Sequence, residues 1–178
     1  MDNRNRSRQI RIMPLDPTFV DDAPYDPDGL MIDEIVEVSR RDSRVSARLP
    51  VSADMPITRS QRVHPVRHPV HVAAGIMVHL TGIMGYVHAY HFHGLRHREG
   101  WTGYGVRIHG ARFLNVASVE EPLLLSATET SYRKVGWRIF SRYLFVFQQG
   151  EKTVYDSEQS ALWFHPERIA ESPSSSRA

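Results

Sequence analysis

The feature that most constrains the fold of this chain is a run of small and apolar residues, VHVAAGIMVHLTGIMGYVHAY, at positions 70–90. Apolar residues would surround almost the whole circumference of a helix formed by this run, which is typical of a helix buried on most sides. His79 interrupts this run. The uninterrupted apolar part is therefore shorter than the length of about 20 residues that a membrane-spanning helix needs. The rest of the chain must therefore provide the surfaces that cover a central helix.

Segments that alternate between apolar and polar residues lie on both sides of the predicted helix. Before it stand LMIDEIVEVS and RVSARLPVS, joined by the polar turn RRDS; after it stand GYGVRIHGARFL, EPLLLSATETSYR, GWRIFSRYLFVFQ and KTVYDSEQSALWF. This alternation indicates strands with one buried face. In GWRIFSRYLFVFQ, every second residue from Ile139 to Phe147 should share that face. The pattern predicts an α+β domain in which one antiparallel sheet wraps around the long central helix.

The composition of the 178-residue chain favours one globular domain that buries most of its surface. The net charge of +2 is too low for a dedicated nucleic-acid-binding protein, so we expect no nucleic-acid partner. The absence of cysteine excludes disulfides, thiolate catalysis and cysteine-ligated zinc. The basic N-terminus lacks the apolar core of a signal peptide, and we therefore expect a cytoplasmic protein with no membrane partner.

Prolines, aspartates and serines mark the two ends of the chain. Residues 1–28 are predicted to form an extended and partly disordered arm, because an arginine-rich start is followed by PLDPTFVDDAPYDPDG. Residues 169–178, which end in ESPSSSRA, are predicted to be a disordered tail. The folded domain is therefore expected at residues 29–168.

The loop before the helix, HPVRHPVHVA at residues 64–73, resembles the signature H-F-P-x-x-P-x-x-P-G of the β-hydroxyacyl-ACP dehydratases. His64 matches the signature histidine and Pro69 its second proline, and the segment GARFLNV resembles the A-R-F strand of that family. The order of strands, loop, helix and further strands is similar to the hotdog fold over about residues 30–165. The resemblance implies a hotdog-fold lyase that removes water from a β-hydroxyacyl thioester in fatty-acid or polyketide-type biosynthesis. It implies no cofactor.

The resemblance also implies the site residues. His64 would be the catalytic base at the α-carbon. The family carries a Glu or Asp fourteen residues after that histidine, where this sequence has Val78, and the neighbouring His79 is the only ionisable residue nearby. His79 would then protonate or orient the departing hydroxyl, unless a partner subunit supplies the acid. The substrate-binding residues would be His68, His71, Gly75, Arg112 and Phe113.

A second alignment also assigns a site role to His79. Counted from His68, the spacing of eleven residues to His79 resembles the spacing to a helix amide in hotdog fatty acyl-CoA thioesterases. In that alternative His79 orients a water molecule, and the amide groups at the helix start bind the oxyanion. A third alternative is a non-catalytic hotdog subunit that binds acyl chains or supports an active partner.

The residues themselves give chemical reasons for a site at the start of the helix. Free backbone N–H groups and the helix dipole at an N-terminus favour the charge that develops on a thioester oxygen. Gly75 allows a substrate to approach the backbone closely, and His79 lies one turn further along the same helix face. An imidazole with a pKa of about 6.5 can transfer protons at neutral pH. The competing interpretation is a hydrogen-bonded core histidine at position 79 and surface histidines in the loop.

A second histidine cluster, HAYHFHGLRH, follows the helix at residues 88–97. His93 and His97 have the i, i+4 spacing of zinc ligands on a helix, but the glycine between them weakens a helix there. We therefore predict no metal site. The basic segment would instead attract the phosphates of a carrier arm.

A single curved sheet leaves an edge strand and an apolar helix end exposed. Two chains are therefore expected to pair edge to edge, as a homodimer or as a heterodimer with another hotdog subunit. The expected substrate partner is an acyl thioester of acyl carrier protein or of CoA.

Overall fold

The computed structural model describes residues 13–64, 66 and 69–165. Its helices are α1 (Pro17–Asp22), α2 (Pro27–Leu30) and α3 (Ala74–His88). Its strands are β1 (Met13–Pro14), β2 (Glu34–Ser39), β3 (Arg44–Leu49), β4 (Thr102–Phe113), β5 (Leu123–Val135), β6 (Arg138–Gln149) and β7 (Lys152–Phe164). A π-helical turn follows α3 at Ala89–His93, and 3-10 turns lie at Thr58–Ser60 and His97–Glu99.

The seven strands form one antiparallel sheet in the order β1-β2-β3-β5-β6-β7-β4. The central helix α3 packs against it through almost fully buried apolar residues, including Leu80, Ile83, Met84 and Val87. This arrangement confirms the predicted α+β class, the central helix and the antiparallel sheet. Within the described part of the chain, no helix has the length and apolarity that crossing a membrane requires.

Strand β6 follows the sequence pattern closely. Ile139, Tyr143 and Phe147 are buried at alternating positions, whereas Phe140 and Leu144 are exposed. Successive side chains of a strand point to opposite faces, so this alternation separates a core face from a solvent face. The predicted shared face of residues 139–147 is therefore confirmed.

The predicted extended arm differs from the structure over the residues that are described. Helices α1 and α2 interrupt it, and the first begins with Asp16 capping the backbone N–H of Thr18 at 2.9 Å and with Pro17 in its first turn. Asp followed by Pro is a favourable helix start. The high proline content of the segment instead predicts extended chain. Phe19 is 1% exposed and its ring lies 5.0 Å from that of Tyr90, so the segment packs on the core. Residues 1–12 and the predicted tail lie outside the described residues.

The buried carboxylate of Asp22 joins this segment to α3. Its Oδ2 accepts a hydrogen bond of 2.5 Å from the hydroxyl of Tyr86, and its two oxygens accept the backbone N–H groups of His97 and Arg98. Burial raises the pKa of Asp22, but the bonds from Tyr86, Arg98 and His97 outweigh it and hold that pKa below its ordinary value. The same desolvation and the neighbouring carboxylate raise the pKa of the Tyr86 hydroxyl.

Strand β4 ends the sheet and pairs only with β7. Every residue from Gly103 to Phe113 is exposed, and apolar side chains such as Tyr104, Val106 and Ile108 are among them. A long exposed apolar edge strand has unsatisfied main-chain groups and is a template for pairing with another strand.

Candidate functional site

One face of α3 borders open space instead of the core. Ala74, Val78, Thr81, Gly82 and Gly85 recur at the spacing of a single helix face. Most of these side chains are small, and no atom lies within 4 Å of where a Cβ on Gly82 would stand. Another molecule can therefore approach the helix backbone closely along this face.

A groove of about 420 Å³ separates this helix face from β4. Residues 103–108 of β4 line one side, and Tyr143, Phe145 and Trp163 contribute aromatic rings from β6 and β7. Its volume falls within the range of about 300–1,000 Å³ that is usual for small-molecule sites. The mostly apolar lining suits an apolar ligand.

Gly103 and Trp163 approach each other closely in the lining of this groove. A Cβ on Gly103 would lie 2.2 Å from Cζ3 of the Trp163 ring, a distance that real Cβ atoms do not reach. The rigid indole is 6% exposed and cannot swing away without disturbing the core. Only glycine at position 103 therefore lets the indole pack flat against β4.

A short polar network interrupts the apolar lining. The hydroxyl of Thr81 lies 2.7 Å from the carbonyl oxygen of Val78 and 3.2 Å from Oε1 of Gln159, and Nε2 of Gln159 donates to Oγ of Ser157 at 3.0 Å. Arg107 adds a cation on the β4 side of the groove. Within the described lining of this groove there is no carboxylate.

Two further grooves adjoin the α3 face. One, of about 380 Å³, shares Gly82, Gly103 and Trp163 with the first and extends to His97 and Trp101. Another, of about 270 Å³, lies at the start of α3. Grooves therefore border this helix face from its first turn to its fourth.

No protein-family model matches this chain, and no curated protein matches it. Solved structures do match. A mutant thioesterase from Pseudomonas aeruginosa has a TM-score of 0.54 at 14% identity, covering 78% of this chain and 85% of its own. A thioesterase from Haemophilus influenzae has a TM-score of 0.51 at 18% identity, covering 78% and 82%. The fluoroacetyl-CoA thioesterase FlK has a TM-score of 0.54 at 15% identity, covering 80% and 100%. The chain has the hotdog fold.

The hotdog part of the sequence resemblance is thus confirmed, but the dehydratase part is not supported. The three proteins just named are thioesterases. At these identities the likeness establishes the hotdog fold alone. Val78, at the dehydratase acid position, is a partly exposed apolar residue that lines the main groove of this hotdog domain.

Two of the residues predicted to bind substrate meet at the start of the central helix. His71 and Phe113 line the same groove, together with Ala74, the first residue of α3. Gly75 is the next residue and is exposed; a Cβ there would be 3.5 Å from the side chain of Ile57, an ordinary contact. His68 lies outside the described residues.

The two predicted catalytic histidines have local partners. Nε2 of His79 donates to the carbonyl oxygen of Gly29 at 2.7 Å, and its ring lies edge-on to that of Tyr25 at 5.1 Å. His79 does not line any of the three grooves described above. His64 is exposed, and its Nδ1 accepts the backbone N–H of Val66 at 3.3 Å. The catalytic roles of both residues stay predictions.

Arg112, also predicted to bind substrate, forms an ion pair across the two last strands of the sheet. Its guanidinium donates to both carboxylate oxygens of Asp156, at 2.9 and 2.6 Å. The hydrogen bond and the charge of Asp156 raise the pKa of Arg112 and lower that of the carboxyl group. Arg112 is exposed and Asp156 partly buried, and Arg112 lines none of the three grooves described above.

Sequence reasoning missed Thr81, Gln159 and Trp163. A signal for the last two was available, because alternate positions of β7 from Tyr155 to Trp163 should share one face, and Gln159 places an amide on it. Its proximity to Thr81 depends on how α3 crosses the sheet, which local sequence does not encode.

His93 and His97, which have an i, i+4 spacing in the sequence, bind different partners in the structure. The backbone N–H of His97 binds Asp22, while Nε2 of His93 lies 2.9 and 3.1 Å from the carboxylate oxygens of Glu129. His88 is fully buried beside them. Burial lowers the pKa of His88 to about 4, so its ring is neutral at physiological pH.

Proposed function

We propose that this protein is a thioesterase that hydrolyses acyl-CoA in the groove between α3 and β4. The observation that carries the proposal is the apolar groove along a helix face of small residues, in a fold that it shares with named thioesterases. The apolar lining suits an acyl chain, and Arg107 suits a phosphate of CoA.

The start of α3 provides the groups that hydrolysis requires. The backbone N–H groups in the first turn of a helix have no intrahelical acceptor, so those of Ala74 and Gly75 suit the oxyanion. His71 lines the smaller groove at the start of α3, and its Nδ1 donates to the carbonyl oxygen of Pro69 at 3.0 Å. Its Nε2 is then the nitrogen that accepts a proton.

The proposed reaction needs no cofactor. A water molecule attacks the carbonyl carbon as the His71 imidazole takes its proton, and negative charge develops on the oxygen facing the helix start. Collapse of the tetrahedral intermediate breaks the carbon–sulfur bond. The imidazolium returns the proton to the sulfur, which releases CoA and the free acid.

A second chain completes the site in this proposal. Strand β4 forms a side of the groove and is also the exposed edge of the sheet. Pairing of two such edges would satisfy their main-chain groups and cover the apolar side chains next to the groove. The partner is a second copy of this chain or another hotdog subunit.

Incubation with saturated, enoyl and β-hydroxyacyl thioesters of CoA and of acyl carrier protein, followed by mass spectrometry, tests the proposal. We expect free CoA and carboxylic acid from acyl-CoA. Loss of water from the β-hydroxyacyl thioester without hydrolysis would instead identify a dehydratase. No product from any substrate, together with binding of acyl-CoA, would identify a non-catalytic subunit.

A further inference from the structure

A group of metal-ligand side chains, one buried and two partly buried, lies at the opposite end of α3 from the proposed thioester site. His88 is the last residue of the helix, His93 ends the following π-helical turn, and Glu129 lies on β5. One ligand atom from each lies within 4.8 Å of the other two. Three separate elements therefore bring two imidazoles and one carboxylate together.

The π-helical turn explains why two histidines five residues apart face the same point. Residues five apart on an α-helix are about 140° apart around the axis, since each residue advances about 100°. A π-helical turn has i→i+5 hydrogen bonds and stacks such residues, and turns of this kind are frequent at functional sites. His88 and His93 have ring centroids 5.6 Å apart across this turn.

The surroundings hold both imidazoles in place. The ring of His88 stacks on Phe92 at 4.2 Å and 7°, and the ring of His93 stacks on Tyr132 at 4.4 Å. Nε2 of His88 donates to the carbonyl oxygen of Ser43 at 3.0 Å. A backbone carbonyl that accepts the ring N–H in this way fixes the tautomer of metal-binding histidines.

The remaining nitrogen of His88 is unsatisfied. Its Nδ1 is buried and has no hydrogen-bond partner among the described residues, although the residue is 0% exposed. A polar atom in that position normally costs free energy unless a partner, a water molecule or an ion satisfies it. The carboxylate of Glu129 is also almost completely buried, with 6% of its side chain exposed.

We propose that His88, His93 and Glu129 bind a divalent transition-metal ion of the zinc class. Two imidazole nitrogens and one carboxylate are a zinc-type donor set, whereas calcium and magnesium prefer ligands that are all oxygen. Zinc ligands at about 2.0–2.1 Å in a tetrahedron stand about 3.3 Å apart, and Nε2 of His93 is already 2.9–3.1 Å from the Glu129 oxygens. A water molecule supplies the fourth ligand.

The ion would join the end of α3, the π-helical turn and the middle of the sheet. The site lies at the opposite end of α3 from the proposed thioester site, and 16% of the His93 side chain and 6% of the Glu129 side chain are exposed. Its test is therefore metal content and thermal stability, not hydrolysis. Neither readout depends on the thioesterase proposal.

The experiment uses the full chain without a polyhistidine tag, dialysed against chelator and then titrated with Zn²⁺ and Co²⁺. We expect one tightly bound ion per chain, a rise in melting temperature with Zn²⁺, and a visible Co²⁺ spectrum of tetrahedral nitrogen and oxygen ligation. The chain has no cysteine, so thiolate bands do not interfere.

Matched variants separate this site from the surface histidines. Glu129→Gln and His93→Gln keep side-chain volume and a polar group, and each should weaken Zn²⁺ binding at least tenfold. His97→Gln removes the histidine that lies four residues after His93 in the sequence. This variant should leave Zn²⁺ binding unchanged. Circular dichroism of each variant in chelator shows whether it folds.

Two results would overturn the proposal. One is a folded Glu129→Gln protein that binds Zn²⁺ as the unmodified chain does, which would assign the ion to exposed histidines. The other is absence of any stoichiometric binding, which would leave the group as a hydrogen-bonded network closed by water.

Discussion

The imidazole of His79 donates a 2.7 Å hydrogen bond to the carbonyl oxygen of Gly29, joining the middle of the central helix to α2. This arrangement occupies Nε2 of His79, and His79 lines none of the three grooves described above. It therefore favours a structural role for His79 over the catalytic role that the sequence predicts.

His79→Ala is accordingly expected to lower stability more than turnover. Loss of the donor leaves the Gly29 carbonyl unsatisfied and should reduce the free energy of unfolding by about 1–3 kcal/mol, with the activity per folded molecule retained. Urea denaturation and acyl-CoA hydrolysis on the same sample measure both. A catalytic His79 would show the reverse, a loss of about 10²- to 10⁴-fold in turnover with little change in stability.

Gly103→Ala should be strongly destabilising, because the new methyl group would lie 2.2 Å from the Trp163 ring. Overpacking of this kind costs about 1–3 kcal/mol or more. Gly105→Ala, two residues along the same strand, is the control, since no atom lies within 4 Å of its Cβ position. Equal urea midpoints for the two variants would contradict the packing of Trp163 on β4.

The stability of the protein should fall in acid partly through Asp22. Its hydrogen bonds hold the folded-state pKa below the ordinary value of about 3.9. The ionised carboxylate therefore stabilises the fold above about pH 4, and this contribution is lost as the pH falls through the folded-state pKa. Asp22→Asn should lower the urea midpoint at pH 7 and flatten its decline between about pH 5 and pH 2. Asp21→Asn, at an exposed neighbouring carboxylate, should leave that pH dependence unchanged.

Side chains of increasing size at Gly82 should block the proposed substrate groove. Space around its Cβ position is open, so Gly82→Ala should leave the KM for acyl-CoA nearly unchanged and favour the helix by up to about 1 kcal/mol. Gly82→Leu and Gly82→Trp should raise the KM or abolish binding while the melting temperature stays near that of Gly82→Ala. Unaltered hydrolysis by a folded Gly82→Trp protein would place the substrate elsewhere.

The exposed edge of β4 should mediate self-association. Light scattering is expected to give the mass of two chains. Val106→Lys should shift the measured mass towards that of one chain, because a charged side chain disfavours the pairing of two apolar strand edges. Val135→Lys is the control, since Val135 is similarly exposed at the end of β5, away from β4. A single-chain mass for the active, unmodified protein would count against the dimer.

Local pattern was enough to predict the main elements. The apolar run at residues 70–90 contains α3, and the six alternating segments cover all or most of each strand from β2 to β7. These features are encoded by near neighbours, because periods of 3.6 and 2 residues decide which side of an element is apolar. The buried face of β6 follows from the same rule.

The site was predictable only in part. The start of α3 and the residues His71 and Phe113 do border a common groove. The partner of Arg112 is Asp156 on the adjacent strand, and that of His79 is a carbonyl fifty residues earlier in the chain. Such partners depend on strand order and on the path of α1 and α2, which the sequence pattern leaves open.

By itself, the sequence pattern determined a buried helix and an antiparallel sheet around it, since burial of apolar surface requires that each element hide its apolar side. The hotdog fold was implied by the resemblance to a known family. Only the tertiary structure decided which polar groups meet. Thr81 joins Gln159, and His88 and His93 join Glu129, because α3 crosses the sheet in one particular position. A polar side chain takes its chemistry from the atoms within about 3 Å of it, and those atoms here belong to residues far apart in the chain.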